Sequence, residues 1–95
     1  MKRPFFQVDF NELLEPNLVA LSASDTREAV TGENVTFSEG LAVGVYEDDI
    51  DDAGEPNYLV ATGIAERHFG AGWTKRIKWC CRVDDKGIRH ESDLV

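Results

Sequence analysis

In the stretch Lys75-Arg76-Ile77-Lys78-Trp79-Cys80-Cys81-Arg82-Val83, the apolar residues Ile77, Trp79, Cys81 and Val83 alternate with Arg76, Lys78, Cys80 and Arg82. Successive side chains of a strand point to opposite faces, so this period of two predicts a half-buried strand over residues 75–83. Ile77 and Trp79 are its expected core anchors, and Arg76, Lys78 and Arg82 its outward face. Upstream, Tyr58-Leu59-Val60-Ala61-Thr62-Gly63-Ile64-Ala65 is apolar on both faces and reads as a central strand over 58–66. Before it, Leu41, Val43 and Val45 share one face of a strand over 41–47, and a short strand is expected over 35–37. Downstream, Asp84-Asp85-Lys86-Gly87 predicts a hairpin turn followed by a closing strand over 87–90.

No connection among the last three strands holds the roughly ten residues a parallel crossover needs, so neighbouring strands are expected to be antiparallel. The chain is therefore mainly β, and its strand count and short connections resemble a small SH3-like or otherwise partly open barrel. Residues 17–22 add a short strand. Ser24-Asp25-Thr26-Arg27-Glu28-Ala29-Val30 has capping-box spacing between Asp25 and Glu28, which predicts one or two helical turns in the N-terminal half, before Gly32. Asp9 or Asn11 is placed to cap one further turn containing Leu13 and Leu14, ending by Glu15 because Pro16 follows. Phe5, Phe6, Val8 and Phe10 make residues 1–16 too apolar for a disordered tail. They are expected to pack as an N-terminal extension of a single domain over 1–95.

Ninety-five residues fit one domain, and a chain this short has a narrow stability margin that a partner or self-association would widen. The net charge of −8 is unevenly divided. Residues 1–66 carry three basic and fourteen acidic side chains; residues 67–95 carry seven basic and four acidic ones. Overall acidity disfavours a nucleic-acid binder, although Arg67, Lys75, Arg76, Lys78 and Arg82 form a local basic group. The adjacent cysteines Cys80 and Cys81 argue against a disulfide framework and for a reducing compartment. No apolar run approaches the roughly 18 residues of a membrane span, and no signal-peptide pattern opens the sequence, so a cytoplasmic location without membrane contact is expected.

Glu47, Asp48, Asp49, Asp51, Asp52 and Glu55 form an acidic stretch that must be a solvated loop, since mutual repulsion and desolvation exclude it from a core. Asp49, Asp51 and Asp52 offer hard oxygen ligands, but Ala53 and Val60 occupy positions where a calcium loop needs ligands. Cys80, Cys81, His68 and His90 are zinc-type residues without zinc spacing. Cys80 with a histidine satisfies a hydrolase's residue types but no motif, and Gly70-Ala71-Gly72 lacks the rest of a phosphate loop. No cofactor is expected. What remains is a surface of Trp73, Arg76, Lys78 and Arg82, joined by Tyr46 and Tyr58, with Asp49, Asp51 and Asp52 as the opposing electrostatic element. Its alternative role is internal, with the acidic loop folding against the basic strand. These features read as a non-catalytic protein-interaction or structural domain, with an unidentified protein or a second copy as partner. A nucleic-acid-associated module is the alternative, and a small hydrolase or metal-binding protein the third.

Overall fold

Wherever the β periodicity is strong, the chain forms strands. The structure, a computed structural model, describes residues 3–94, excluding the side chains of Trp73, Asp93 and Leu94. Its strands are β1 (Phe5–Gln7), β2 (Leu13–Glu15), β3 (Leu18–Ser22), β4 (Thr26–Glu28), β5 (Asn34–Thr36), β6 (Ala42–Glu47), β7 (Leu59–Arg67), β8 (Trp79–Val83) and β9 (Arg89–His90). Short 3-10 turns span Gly72–Thr74 and Glu91–Leu94. No helix of the described residues is long and apolar enough to cross a membrane.

The main sheet runs β1-β6-β7-β8-β3-β2, with β9 also paired to β7, while β4 and β5 form a separate hairpin. The central strands β6, β7 and β8 are antiparallel neighbours, as their short connections require. The sheet is antiparallel except at one edge, where β1, a segment expected only as an extended or irregular extension, runs parallel to β6 with Phe6 opposite Val45. These two strands are far apart in sequence, so no tight turn dictates their direction. The sheet does not close into a barrel, because β1 and β2 remain its unpaired ends. The outer edge of β1 is nonetheless covered: Val30 N–H donates to the Phe5 carbonyl (2.9 Å), and the Arg27 guanidinium donates to the Gln7 carbonyl.

Three local expectations change. Residues 24–30 form no helical turn. Thr26, Arg27 and Glu28 pair with Thr36, Val35 and Asn34 instead, and the Asp25 carboxylate accepts from Lys78 Nζ (2.8 Å) and Trp79 Nε1 (3.0 Å) rather than capping a helix. So short a segment gains little from helix formation alone, and the hairpin supplies partners for its backbone. Near the N-terminus, Asp9 closes a turn through Asn11 N–H (2.8 Å), but Leu13 and Leu14 enter β2 rather than a helix. At Asp84–Gly87 the chain does turn, with Gly87 at φ +70° and its N–H on the Asp84 carbonyl (3.1 Å), yet it does not reverse. It loops out and resumes along β7, where β9 sets His90 opposite Leu59.

One face of the sheet carries the main core, built on a line of aromatic rings. Phe6 and Phe37 lie 5.3 Å apart between centroids, and Phe37 and Trp79 5.9 Å. Val19, Leu21, Val43, Val45, Ala61, Ala65, Cys81 and Val83 complete it, and Ala29 and Phe37 cover it from the β4–β5 region. On the reverse face, Phe5 lies so close over Gly44 that a Cβ there would strike its ring. A smaller cluster on that side joins Leu18, Ile77 and Cys80, with Leu14 and Ala20 against it. Ile77 is thus buried as expected but does not share Trp79's face. The predicted strand over 75–83 begins only at Trp79, and Ile77 belongs to a turn in which its N–H meets the Thr74 carbonyl (2.9 Å).

Candidate functional site

On β8, Arg82 emerges from the face opposite Trp79 and Cys81, where register with β7 sets it diagonally across from Glu66; Lys78 and Arg76 precede the strand and meet carboxylates from elsewhere. Arg82 Nε and Nη2 donate to the two oxygens of Glu66 (2.8 and 3.0 Å), and Nη1 reaches Glu15 (3.2 Å). The hydrogen bonds Arg82 donates to Glu66 and then to Glu15 raise its pKa, and Arg82 in turn holds the Glu66 carboxyl below its ordinary value. Lys78 bonds Asp25, whose carboxyl is held low first by that contact and then by the Trp79 indole. Arg76 is farther out, 3.7 Å from Glu12 and largely exposed. The acids that meet the basic strand therefore come from residues 12, 15, 25 and 66, not from the acidic loop.

That loop folds on itself. Asp51 Oδ1 accepts from the N–H groups of Ala53 and Glu55 (2.9 Å each), and Ile50 bridges to Pro56. Asp49 Oδ2 lies 2.8 Å from His90 Nε2, the contact that lowers the Asp49 carboxyl pKa. Glu47 receives the Phe10 N–H and Asp48 the Gln7 amide (3.3 Å each). Asp52 and Glu55 stay exposed. Among the described residues, no three His, Cys, Asp or Glu side chains converge as a metal site would require. Tyr46 and Tyr58 meet edge to face, centroids 6.0 Å apart, at this same end of the molecule. They are not brought together with Arg76 and Lys78, because Tyr58 precedes β7 and the basic loop follows it, about 30 Å away along an extended strand.

Both cysteines are buried. Cys80, which the alternation sets on the same face as Arg82, is covered by residues of β2 and β3. Burial is the main cause that pushes the Cys80 thiol up to about 11 and the Cys81 thiol up to about 12. Neither supplies a thiolate near neutral pH.

The expected surface residues Arg76 and Lys78 do meet at the far end of β7, beside Arg67 and Lys75 of the same basic group and beside Phe69, which sequence reading did not select. A cleft of about 380 Å³ lies between the β7–β8 connection and Ala23; Arg67, Phe69, Lys75 and Lys78 are among its lining. Phe69 is 83% exposed, with the Arg67 guanidinium carbon 4.8 Å from its ring centroid and 5.9 Å from that of Trp79. Among the described residues, no carboxylate lies within ion-pair distance of Arg67 or Lys75. Gly70 is required here, since a Cβ would collide with the Thr74 hydroxyl and the His68 ring. The Trp73 side chain, also expected at this surface, lies outside the described residues. The available sequence signal was the absence of any acid from Arg67 to Val83, together with an aromatic residue set beside Gly70. In comparisons with known proteins, the chain matches no family model, no curated protein and no solved structure.

Proposed function

We propose that this chain is a non-catalytic protein-interaction domain that binds through the Arg67–Lys78 end. The observation that carries this reading is Phe69: a phenyl ring left in water under a guanidinium with no carboxylate in ion-pair range among the described residues is an anchor for a partner surface, where aromatic and arginine side chains concentrate binding energy. The nucleic-acid alternative is weakened because Lys78 and Arg82 are engaged by carboxylates of the same chain. This leaves a small patch rather than a basic track along which a phosphate backbone would run. We read the open mixed sheet with its covering hairpin as an SH3-like small barrel with one seam unclosed. Two reduced, buried thiols favour a cytoplasmic setting.

Capture from native extract with the tagged full chain, with and without nuclease, tests the reading. Protein should be retained after nuclease and lost with Phe69→Ala or Lys75→Glu. Loss of the captured material on nuclease treatment would transfer the assignment to nucleic acid. Capture indifferent to both substitutions would remove this surface from the function.

A further inference from the structure

We propose that the occupant of the Arg67–Lys78 cleft is the acidic loop, residues 47–55, of a second copy of this chain, so that copies associate head to tail. This deepens the protein-interaction reading and rests on it. The two surfaces lie at opposite ends of β7, which runs from Leu59 to Arg67. Nine strand residues span roughly 26 Å, so the loop of one copy cannot fill its own cleft. Both ends have the same construction with opposite charge. Phe69, 83% exposed, shares its cleft with Arg67, Lys75 and Arg76; Ile50, 66% exposed, belongs to the loop that carries the exposed Asp48, Asp52 and Glu55. These are the two most exposed large hydrophobic side chains of the described residues. An apolar centre ringed by charge of one sign is complementary to an apolar centre ringed by the other, and the rim charges set orientation.

The loop is also pre-formed. The two N–H bonds to Asp51 and the Ile50–Pro56 bridge hold it in shape, so docking orders little backbone. The net charge of −8 does not forbid the contact. At physiological salt the screening length is about 8 Å, which leaves the local cation–carboxylate attraction and damps repulsion from the distant end of each copy. Because the two surfaces differ, the interface is heterologous and each bound copy presents a fresh loop and a fresh cleft.

Sedimentation velocity of the full chain from about 10 to about 500 µM, the range appropriate to a small contact, should show a mass that rises without levelling at a dimer. Lys75→Glu, which alters the cleft, and the pair Asp52→Asn with Glu55→Gln, which removes charge from the loop while sparing Asp51, should each weaken association by roughly tenfold or more. Circular dichroism should show all variants folded, since these side chains are exposed. The discriminating sample is the equimolar mixture. One variant keeps a working loop and the other a working cleft, so the mixture should stop at a one-to-one dimer. A chain that stays monomeric throughout, or a symmetric dimer that the mixture does not restore, overturns the head-to-tail contact. Should the monomer nevertheless capture another protein through Phe69, the interaction reading survives with a different occupant. Should capture fail as well, both fall.

Discussion

Arg82 lies within β8 between Glu66 and Glu15, whereas Arg67, at the end of β7, lies over the rings of Phe69 and Trp79 with no carboxylate in ion-pair range among the described residues. The difference comes from register. A side chain inside a sheet has cross-strand neighbours at fixed spacing, and in an acidic chain those neighbours are readily carboxylates. Arg67 closes β7 opposite Trp79, so its registered neighbour is an aromatic ring rather than an acid, and Lys75, in the connection that follows, has no strand register at all. The interior of the strand is thus where the charges are paired within the fold, and its end and the connection beside it are where they are not.

The largest expected effect separates the two regions by stability. Trp79 packs on Phe37 and donates its indole N–H to Asp25, so Trp79→Ala should cost about 3 to 5 kcal/mol. Phe69→Ala, on the exposed side of the same end, should stay within about 0.5 kcal/mol. Urea titration of both variants checks this, and a large loss at Phe69 would make its ring structural and erase the contrast.

A second effect belongs to the buried thiols. Their pKa values lie above those of an unfolded cysteine, so the folded state retains protons that the unfolded state releases. The associated stability is complete below about pH 8.5 and diminishes as pH rises toward the folded values, by roughly 3 to 4 kcal/mol near pH 10 for the pair. Cys81→Ala should shorten this alkaline decline, and alkylation at pH 8 should follow global unfolding rather than precede it. Rapid alkylation of the native chain would show that β2 and β3 open locally over Cys80.

The strands and main core were legible because they rest on the period of two: Val43, Val45, Trp79, Cys81 and Val83 are buried where alternation places them. What was not legible depends on distant partners. Asp25 has the spacing of a helix cap, but its ligands are Lys78 and Trp79, more than fifty residues away. Ile77 continues the alternation in sequence although the strand has not yet begun, so its face followed from the preceding turn. At the candidate site, residue type drew attention to Arg76 and Lys78, which line one cleft. The importance of Phe69 lay in its exposure, which no local pattern encodes.

The next contrast is between the charges themselves. Arg82→Met removes a bidentate ion pair and should cost roughly 0.5 to 1 kcal/mol, discounted for the solvent that reaches both partners, while Lys75→Met should cost almost nothing. Thermal or urea unfolding at neutral pH measures both. Equal costs would mean that register gives the strand cation no structural advantage over the loop cation.

The smallest effect tests the cause of that difference through its pH dependence. Arg82 depresses the pKa of the Glu66 carboxyl, so the unfolded state takes up a proton there before the folded state does. The contribution is therefore fully present above the unfolded value, about 4.3, and is lost as pH falls through the lower folded value. In Arg82→Met the depression is removed. The stability gap between parent and variant should consequently be widest above about pH 5 and narrow progressively into acid, whereas any gap for Lys75→Met should not change with pH. Urea titrations at successive pH values resolve the two patterns. A gap for Arg82→Met that persists undiminished in acid would assign the contribution of Arg82 to packing of its methylene stem rather than to its charge, and the strand and loop cations would then differ in burial alone.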